Sequence, residues 1–409
     1  MEEESVLKES GGILSECHVL HEDVPASGSD GGSPVLRTSR LVLRLDNTSP
    51  SSASRDRPPR RDEDPDKNTE ASDEDDCPGL RRKKRRRQSS NSCHVTLVHA
   101  LATDLDSVGQ QLWRGALLLS DFLLSHPEQV RDGRLVVELG CGVGLVGVTL
   151  GLLGLGTSAV VTDRDAAILD ITARNLAANV HLLAAAGLPE QPQPLVRSID
   201  WMRDPQDCAF CRTFLHPQGV ATRTTPACAS LSASASASAS SQGPDAYAWR
   251  KDELAIAREK GVIFLASDCV YDEDLTEALF HKVKLVLEAA EMNAGKSDRR
   301  RPSSMFMAME KRYNFELREL SVVAHGYRRF LSFIGRDAFG RELPASDDGD
   351  DRHCQCGLRG RLIPLDFPLC FDYERVAQLE LWEITAAPGA HAHNTQLQPA
   401  LVGGTSGGT

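Results

Sequence analysis

The chain has 409 residues, 41% of them hydrophobic, which leaves room for one large domain with extensions and supplies enough apolar material for a sizeable core. Its formal charge of -12 at pH 7 excludes a protein that grips nucleic acid with its whole surface, and no apolar run reaches membrane-spanning length. Eleven cysteines at irregular spacing, behind an acidic start MEEESVLKES that lacks the basic and apolar parts of a signal peptide, read as reduced thiols.

In chain order, residues 1–92 are poorly suited to a core. From Asn47 to Ser92 the composition is Ser, Pro, Asp, Glu and Arg with almost no aromatic or β-branched residues, so this stretch is expected to be disordered. Two pieces, Cys17 to Leu20 and Val35 to Leu45, alternate apolar and polar residues, the latter as VLRTSRLVLRL. They are predicted strands that dock on the following domain. An acidic block, Asp62 to Asp76, precedes the unbroken basic run Arg81 to Arg87. That run has the form of a nuclear-import signal, the bland alternatives being a solvated charge run or a weak nucleic-acid tether. A nuclear location is the expectation, with a cytoplasmic pool allowed.

Folded sequence is expected from Cys93. CHVTLVHA reads as a strand, and Val108 to Leu124 carries apolar residues at helical spacing with Trp113 near its start. After a break at Ser125 to Gly133 comes LVVELGCGVGLVG, Leu135 to Gly147. A buried parallel strand runs there into a glycine turn that opens a helix, whose unpaired N–H groups and positive dipole end face whatever lies over the turn. Gly142 to Gly147 literally fits the dinucleotide pattern G-x-G-x-x-G. The register is poor, because counting from the first glycine, Gly140, the last required position falls on Leu145. Glu138, two residues before Gly140, Gly142 and Gly144, suits a cofactor with a charged amino-acid end and no phosphate, namely S-adenosylmethionine. A turn with no ligand is the bland alternative.

A helix to about Leu155 leads to the strand Ala159 to Asp163, which puts a carboxylate where ribose hydroxyls are held. Asp165 is a candidate cap for the next helix, Ala166 to Ala186, on which Asn175 and Asn179 lie one turn apart. A strand from Pro194 to Ile199 ends at Asp200-Trp201. Residues 205–247 are predicted as a low-complexity insertion containing SLSASASASASS, Ser230 to Ser241. A helix at Asp252 to Glu259 precedes the buried strand Gly261 to Leu265, which delivers Ser267, Asp268 and Tyr271 beyond its carboxyl end, on one rim with the glycine turn. Helix Leu275 to Ala290, strand Ser304 to Met309, helix Phe315 to Phe333 and strands near Leu369 to Tyr373 and Gln378 to Ile384 are predicted next. Asn293 to Pro302 and residues 339–361 read as loops, and 387–409 as a flexible tail.

LVVELGCGVG, VVTDRD, IDW and SDCVY, in that order and with Trp113 on the preceding helix, resemble the seven-β-strand methyltransferases. More narrowly they resemble methyltransferase family 16, a protein-lysine methyltransferase group, over about Cys93 to Thr385. The resemblance implies a Rossmann-like α/β fold across residues 93–386, a mostly parallel seven-stranded sheet with helices on both faces. It implies S-adenosylmethionine as cofactor, contacted by Trp113, Gly140, Gly142, Asp163, Trp201 and Ser267, with Glu138 and Gly144 shaping the turn. Asp163 would hold the ribose and Trp201 lie along the adenine, although a core aromatic is the commoner fate of either Trp. Ser267 stands where relatives often carry alanine, which leaves its contact to the backbone. Asp268 and Tyr271, the D-x-x-Y element, would face the target lysine as orienting acceptor and aromatic wall. The implied activity is methyl transfer to a lysine of a protein substrate, possible partners being nuclear or nucleic-acid-associated proteins, with no membrane partner and a monomeric state. A protein-histidine or other nitrogen methyltransferase is the second enzyme reading, and a catalytically silent binding module the reading from another class. Cys208-x-x-Cys211 and His353-Cys354-Gln355-Cys356 have zinc-like spacing but lie in insertions, so they are read as loop thiols and no metal is expected. Cys141 is read as a small filler within the turn.

Overall fold

Elements alternate along the chain as the apolar pattern demands, in a computed structural model that describes residues 13–14, 36–44, 92–182, 192–215, 246–293, 302–312, 314–316, 321–336, 341 and 357–387. Strands β1 (Ile13–Leu14), β2 (Leu36–Arg44), β3 (Ser92–Ala100) and β4 (Ala102–Thr103) come first. Then follow α1 (Arg114–Ser125), β5 (Leu135–Leu139), α2 (Leu145–Leu152), β6 (Ala159–Asp163), α3 (Ala166–Ala178), β7 (Leu195–Ser198), α4 (Ala209–Leu215) and α5 (Lys251–Lys260). The chain continues with β8 (Val262–Ser267), α6 (Glu273–Asn293), β9 (Ser304–Glu310), β10 (Asn314–Glu316), β11 (Ser321–Val323), α7 (His325–Phe333), β12 (Leu358–Ile363) and β13 (Leu379–Ala386). Among the described residues no helix is long and apolar enough to cross a membrane.

Seven strands form one sheet in the order β12-β13-β9-β8-β5-β6-β7. Neighbours from β9 to β7 run parallel, while β13 is antiparallel to both β9 and β12. Every residue of β5 and of β9 is buried, as expected of strands covered on both faces. Alternation sorts them into two cores. Val136, Ile263, Leu265 and Phe306 belong to the core that includes residues of α1 to α3, and Val137, Phe264, Met305 and Met307 to the one that includes Leu279, Phe280 and Phe330. The order reverses at β5, whose sheet neighbours are β6 on one side and β8 on the other. A crevice at the carboxyl ends of β5 and β8 is therefore where an open α/β sheet receives a ligand.

The fold class agrees with the expectation, and several elements do not. Phe315 to Phe333 is not one helix: Asn314–Glu316 and Ser321–Val323 make a hairpin, and helix begins at His325. The β-branched pair Val322-Val323 favours strand over helix, and the periodic apolar residues that suggested a longer helix belong only to its last part. The predicted loop 339–361 ends in an edge strand, β12. Gly360 lies in the middle of that strand. It lets Ile334 approach, since a Cβ there would lie 2.5 Å from the Ile334 side chain.

Leu369 to Tyr373 is not a strand; apart from a single bridge between Leu43 and Phe371, it is held by the buried Asp121 carboxylate. Asp121 accepts from Cys370 N at 2.9 Å and Phe371 N at 3.0 Å and pairs with Arg375 at 2.9 Å. Within the insertion predicted over 205–247, α4 is a helix that buries Phe210, Cys211 and Phe214, the Phe210 ring tilted 4.8 Å from that of Trp249. The helix predicted to Ala186 stops at Ala178. Cys17 to Leu20, the acidic block, the basic run, the Ser-Ala repeat and 353–356 lie outside the described residues.

Candidate active site

The turn after β5 takes the shape that its glycines permit. Gly140, Gly142 and Gly144 have φ of 70°, 51° and 81°, in the left-handed region. A Cβ on Gly140 would lie 2.8 Å from Cys269 Sγ and 3.0 Å from Trp201 Cη2, so this position needs glycine for space as well as for φ. A Cβ on Gly144 would strike Thr172 Cγ2 at 2.7 Å, which makes that glycine a condition for packing α2 against α3.

Over the turn lies a cavity of about 390 Å³, within the ~300–1,000 Å³ range of small-molecule sites. Trp113, Gly140, Gly142, Asp163, Trp201, Ser267, Asp268 and Tyr271 all line it, so residues far apart in the chain are brought together as expected. Glu138 and Gly144 do not line it; they lie beneath and behind the turn. Cys141 is buried, its Sγ 3.5 Å from Thr172 Oγ1, which fits the filler reading.

The charge of the lining is one-sided. Among the described residues that line it, six are carboxylates (Asp106, Asp163, Asp200, Asp268, Asp272, Asp274) and one is a cation, Arg164. Among the described residues, Asp106, Asp200, Asp272 and Asp274 make no ion pair with a basic side chain. A pyrophosphate would meet repulsion there, which disfavours the dinucleotide alternative.

Individual side chains are held in different ways. Asp163 accepts from Arg164 N at 2.8 Å, Gly142 N at 3.3 Å and Asp165 N at 3.4 Å. Burial nevertheless pushes its carboxyl above the usual Asp range, those three backbone bonds opposing. Asp165 caps α3 by accepting from Ala167 N at 2.8 Å. Trp113 donates from Nε1 to Val108 O at 2.9 Å, with the Arg312 guanidinium 4.9 Å from its ring centre.

Asp268 is the residue that departs most from its expected role. At φ 51° it is the only non-glycine residue with positive φ among the described residues. Its Oδ2 accepts from Gly115 N at 2.5 Å and its Oδ1 from Glu310 N at 2.7 Å. The carboxylate thus ties the first turn of α1 to the end of β9. Tyr271 is half-buried, and burial pushes its phenol up to about 12, so it stays a neutral donor. The start of α7 packs on this segment: a Cβ on Gly326 would lie 3.1 Å from the Val270 carbonyl carbon.

Sequence reasoning missed the wall built by Leu105, Asp106 and the 3-10 turn Val108–Gln110, where nothing in residue spacing marks a binding segment. It also missed Asp272 and Asp274, although acids opening a helix were a readable sign: Asp272 accepts from Leu275 N at 2.8 Å. Of the zinc-like residues, Cys208 and Cys211 are buried, at and inside the start of α4, and the His-Cys group lies outside the described residues.

Two buried polar groups beside the cavity find no hydrogen-bond partner among the described residues: both oxygens of Glu138, and Trp201 Nε1. The resemblance implies S-adenosylmethionine, which carries an ammonium, a sulfonium and a ribose diol. An orphaned carboxylate, an acid-lined cavity and a carboxylate at the tip of β6 fit that set. Burial, and secondarily Asp163, push the Glu138 carboxyl well above its ordinary 4.5. A raised acid pKa in the folded state means that the free protein loses stability as pH climbs above 4.5. A cationic ligand favours the ionised form and displaces the proton. S-adenosylhomocysteine, which keeps the ammonium, is therefore expected to bind more tightly as pH rises above 4.5, with proton release seen by calorimetry in buffers of different ionisation enthalpy. Glu138→Gln should remove the proton release; an unchanged release would place the titrating group elsewhere.

Residues 96–211 match a family described as lysine methyltransferase. Methyltransferase-like protein 22 of Mus musculus is 30% identical over 325 residues, 78% of this chain and 65% of that protein. The Homo sapiens protein of the same name is 29% identical over 296 residues, 72% of this chain and 58% of that one. A protein N-terminal and lysine N-methyltransferase of Neurospora crassa is 39% identical over 66 residues, 16% of this chain and 23% of its own length. The matches to the first two relatives thus span less than two thirds of those proteins' length.

Proposed function

Starting from a chain homologous to methyltransferase-like protein 22 that builds the seven-stranded methyltransferase sheet, we propose that it transfers a methyl group from S-adenosylmethionine to a lysine side chain of a nuclear protein. One observation carries this reading: among the described residues that line the cavity at the switch point of the sheet, six are carboxylates and one is a cation. Such a lining suits a cationic cofactor and a cationic acceptor together. The nuclear part rests on the basic run Arg81 to Arg87.

S-adenosylmethionine supplies an electrophilic methyl group on a sulfonium. The protein's task is to hold an amine in line with it and to have that amine neutral. A lysine in water lies about 3.4 units above pH 7, so its neutral form costs roughly 4 to 5 kcal/mol. Partial desolvation in the cavity lowers that cost. Asp163 would hold ribose hydroxyls, and the buried Glu138 carboxylate, which does not line the cavity, would favour the ammonium end through its charge from beneath the turn. Asp268, which lines the cavity with its carboxylate fixed by two backbone N–H groups, would orient the amine. Tyr271 gives the channel a neutral aromatic wall for an aliphatic stem. Alignment contributes more than base strength, since an unperturbed carboxylate is a weak base for an amine.

The outer lip extends the same logic to the acceptor. Asp106 and Asp274 are exposed there, beside Leu105 and Met202, which are 58% and 55% exposed. Reversing both charges, Asp106→Lys with Asp274→Lys, should raise the KM for the acceptor protein about five- to thirtyfold, at ~0.5–1 kcal/mol per exposed charge. The S-adenosylhomocysteine Kd should stay within about twofold. Equal changes in both constants would place these residues in the cofactor site instead.

The full chain incubated with methyl-labelled S-adenosylmethionine and nuclear extract should label protein that yields methyllysine on acid hydrolysis. Labelled methylhistidine would overturn the acceptor. Binding of S-adenosylhomocysteine with no labelled product would favour a silent binding module.

A further inference from the structure

Asn175 and Asn179 are buried side chains on the face of α3 that meets β3, and neither is used by the chemistry above. They complete a sheet edge. One edge of β3 pairs with β2, from Leu36 against Ala100 to Arg44 against Ser92. On the opposite edge, Thr96 N donates to Asn179 Oδ1 at 2.8 Å and Val98 N to Asn175 Oδ1 at 2.7 Å. The two side-chain amides donate back, Asn179 Nδ2 to Thr96 O at 2.7 Å and Asn175 Nδ2 to Val98 O at 2.9 Å. The match follows from two periods: four helical residues rise about 6 Å, and alternate strand residues are spaced about 6.8 Å. The paired asparagines stand in for a missing strand.

They differ in one bond. Asn179 spends its second amide hydrogen on its own helix, at Asn175 O, 2.7 Å away. Asn175 spends its second hydrogen on Val143 O, 2.8 Å away, inside the glycine turn. One turn earlier on α3, Thr172 Oγ1 donates to Gly142 O at 2.5 Å. The chain leaving β3 becomes the Leu105 to Trp113 wall, and a Cβ on Gly142 would meet Gly109 O at 3.1 Å. Two walls of the cavity therefore meet at the Asn175 side chain.

We propose that Asn175 is a positioning residue for the cofactor site, its amide setting the spacing between the glycine turn and the wall that follows β3, with Thr172 holding the turn's preceding carbonyl. The proposal rests on the cofactor reading above. Helix α3 thereby serves as a rack on which the turn and the N-terminal hairpin are hung in fixed register. Neither residue touches the ligand; each acts through backbone carbonyls that it keeps turned away from the cavity.

The two asparagines supply their own control, because replacing either costs the same two bonds to β3 and only one replacement frees the turn. In the full chain, Asn175→Ala and Asn179→Ala should lower the melting temperature by similar amounts. Asn175→Ala alone should raise the calorimetric Kd for S-adenosylhomocysteine about tenfold, the value of roughly one hydrogen bond. Asn179→Ala should stay within about twofold. In hydrogen exchange, amides of residues 140–145 should speed up in Asn175→Ala and not in Asn179→Ala, while those of 94–99 speed up in both.

Thr172→Val keeps the side-chain shape, loses the bond to Gly142 and the 3.5 Å contact with Cys141 Sγ in the same turn, leaves the bonds to β3 intact, and serves if Asn175→Ala fails to fold. It should weaken S-adenosylhomocysteine binding several-fold with exchange at 94–99 unchanged. Equal Kd values for the two asparagine variants, or an unchanged Kd in Thr172→Val, would overturn the proposal. Wild-type protein that does not bind S-adenosylhomocysteine would instead remove the cofactor reading, and the exchange contrast at 140–145 would then decide the coupling by itself.

Discussion

Asp268→Asn is expected to melt about 5–10 °C below the wild type and to be inactive. The reason lies in the backbone rather than in the chemistry. Each carboxylate oxygen accepts one main-chain N–H, from Gly115 and from Glu310. Asparagine keeps one of these as a weaker neutral bond and turns an NH2 group toward the other. At ~1.5–3 kcal/mol per bond to a charged group, the loss is about 2–4 kcal/mol. A folded unit of this size loses roughly 2–4 °C per kcal/mol. Gly115→Ala should behave alike, since its Cβ would lie 2.5 Å from Asp268 Oδ2. Inactivity of an Asp268 variant is therefore no proof of contact with the reacting amine. A circular-dichroism melt of Asp268→Asn superimposable on the wild type would show that the two backbone bonds carry little energy, and the structural role would fall.

The same residue type behaves in the opposite way at the tip of β6. Asp163→Asn should weaken S-adenosylhomocysteine binding about 10²–10³-fold, from the loss of two charge-assisted bonds to a ribose diol, together ~3–5 kcal/mol. Its melting temperature at pH 7 should equal or exceed that of the wild type. The sign follows from linkage. Burial raises the folded pKa of Asp163 above its ordinary 3.8, so ionisation makes folding less favourable as pH rises past that value. Asparagine removes that penalty. Isothermal calorimetry paired with a thermal melt separates the cases: a variant that loses both affinity and several degrees of stability would make Asp163 a structural carboxylate like Asp268.

Much of the cavity's lining was legible in the sequence. The glycines of the turn, Asp163 and Trp201 each follow a strand of readable apolar pattern, and strand ends in a parallel sheet must converge on one rim. Legibility failed where local pattern and tertiary use part company. Residues 339–361 read as a loop, yet Gly360 is a strand residue that makes room for Ile334. Leu369 to Tyr373 has strand composition, but its amides are claimed by Asp121, some 250 positions away in the chain. Cys208 and Cys211, read as loop thiols, instead lie just before and within a short helix whose inner face is buried.

Short-range physics was enough for the sheet, the glycine turn and the identity of the acids at its rim, because apolar period, backbone freedom and strand direction are carried by neighbouring residues. Function-bearing assignments among those acids were not: Asp163 and Asp268 are the same side chain at the ends of similar strands. One is spent on holding a helix to the sheet, and the other is left buried with room for a ligand. That difference depends on which distant N–H groups arrive within 3 Å of each carboxylate, a matter of long-range packing that no local window of residues contains.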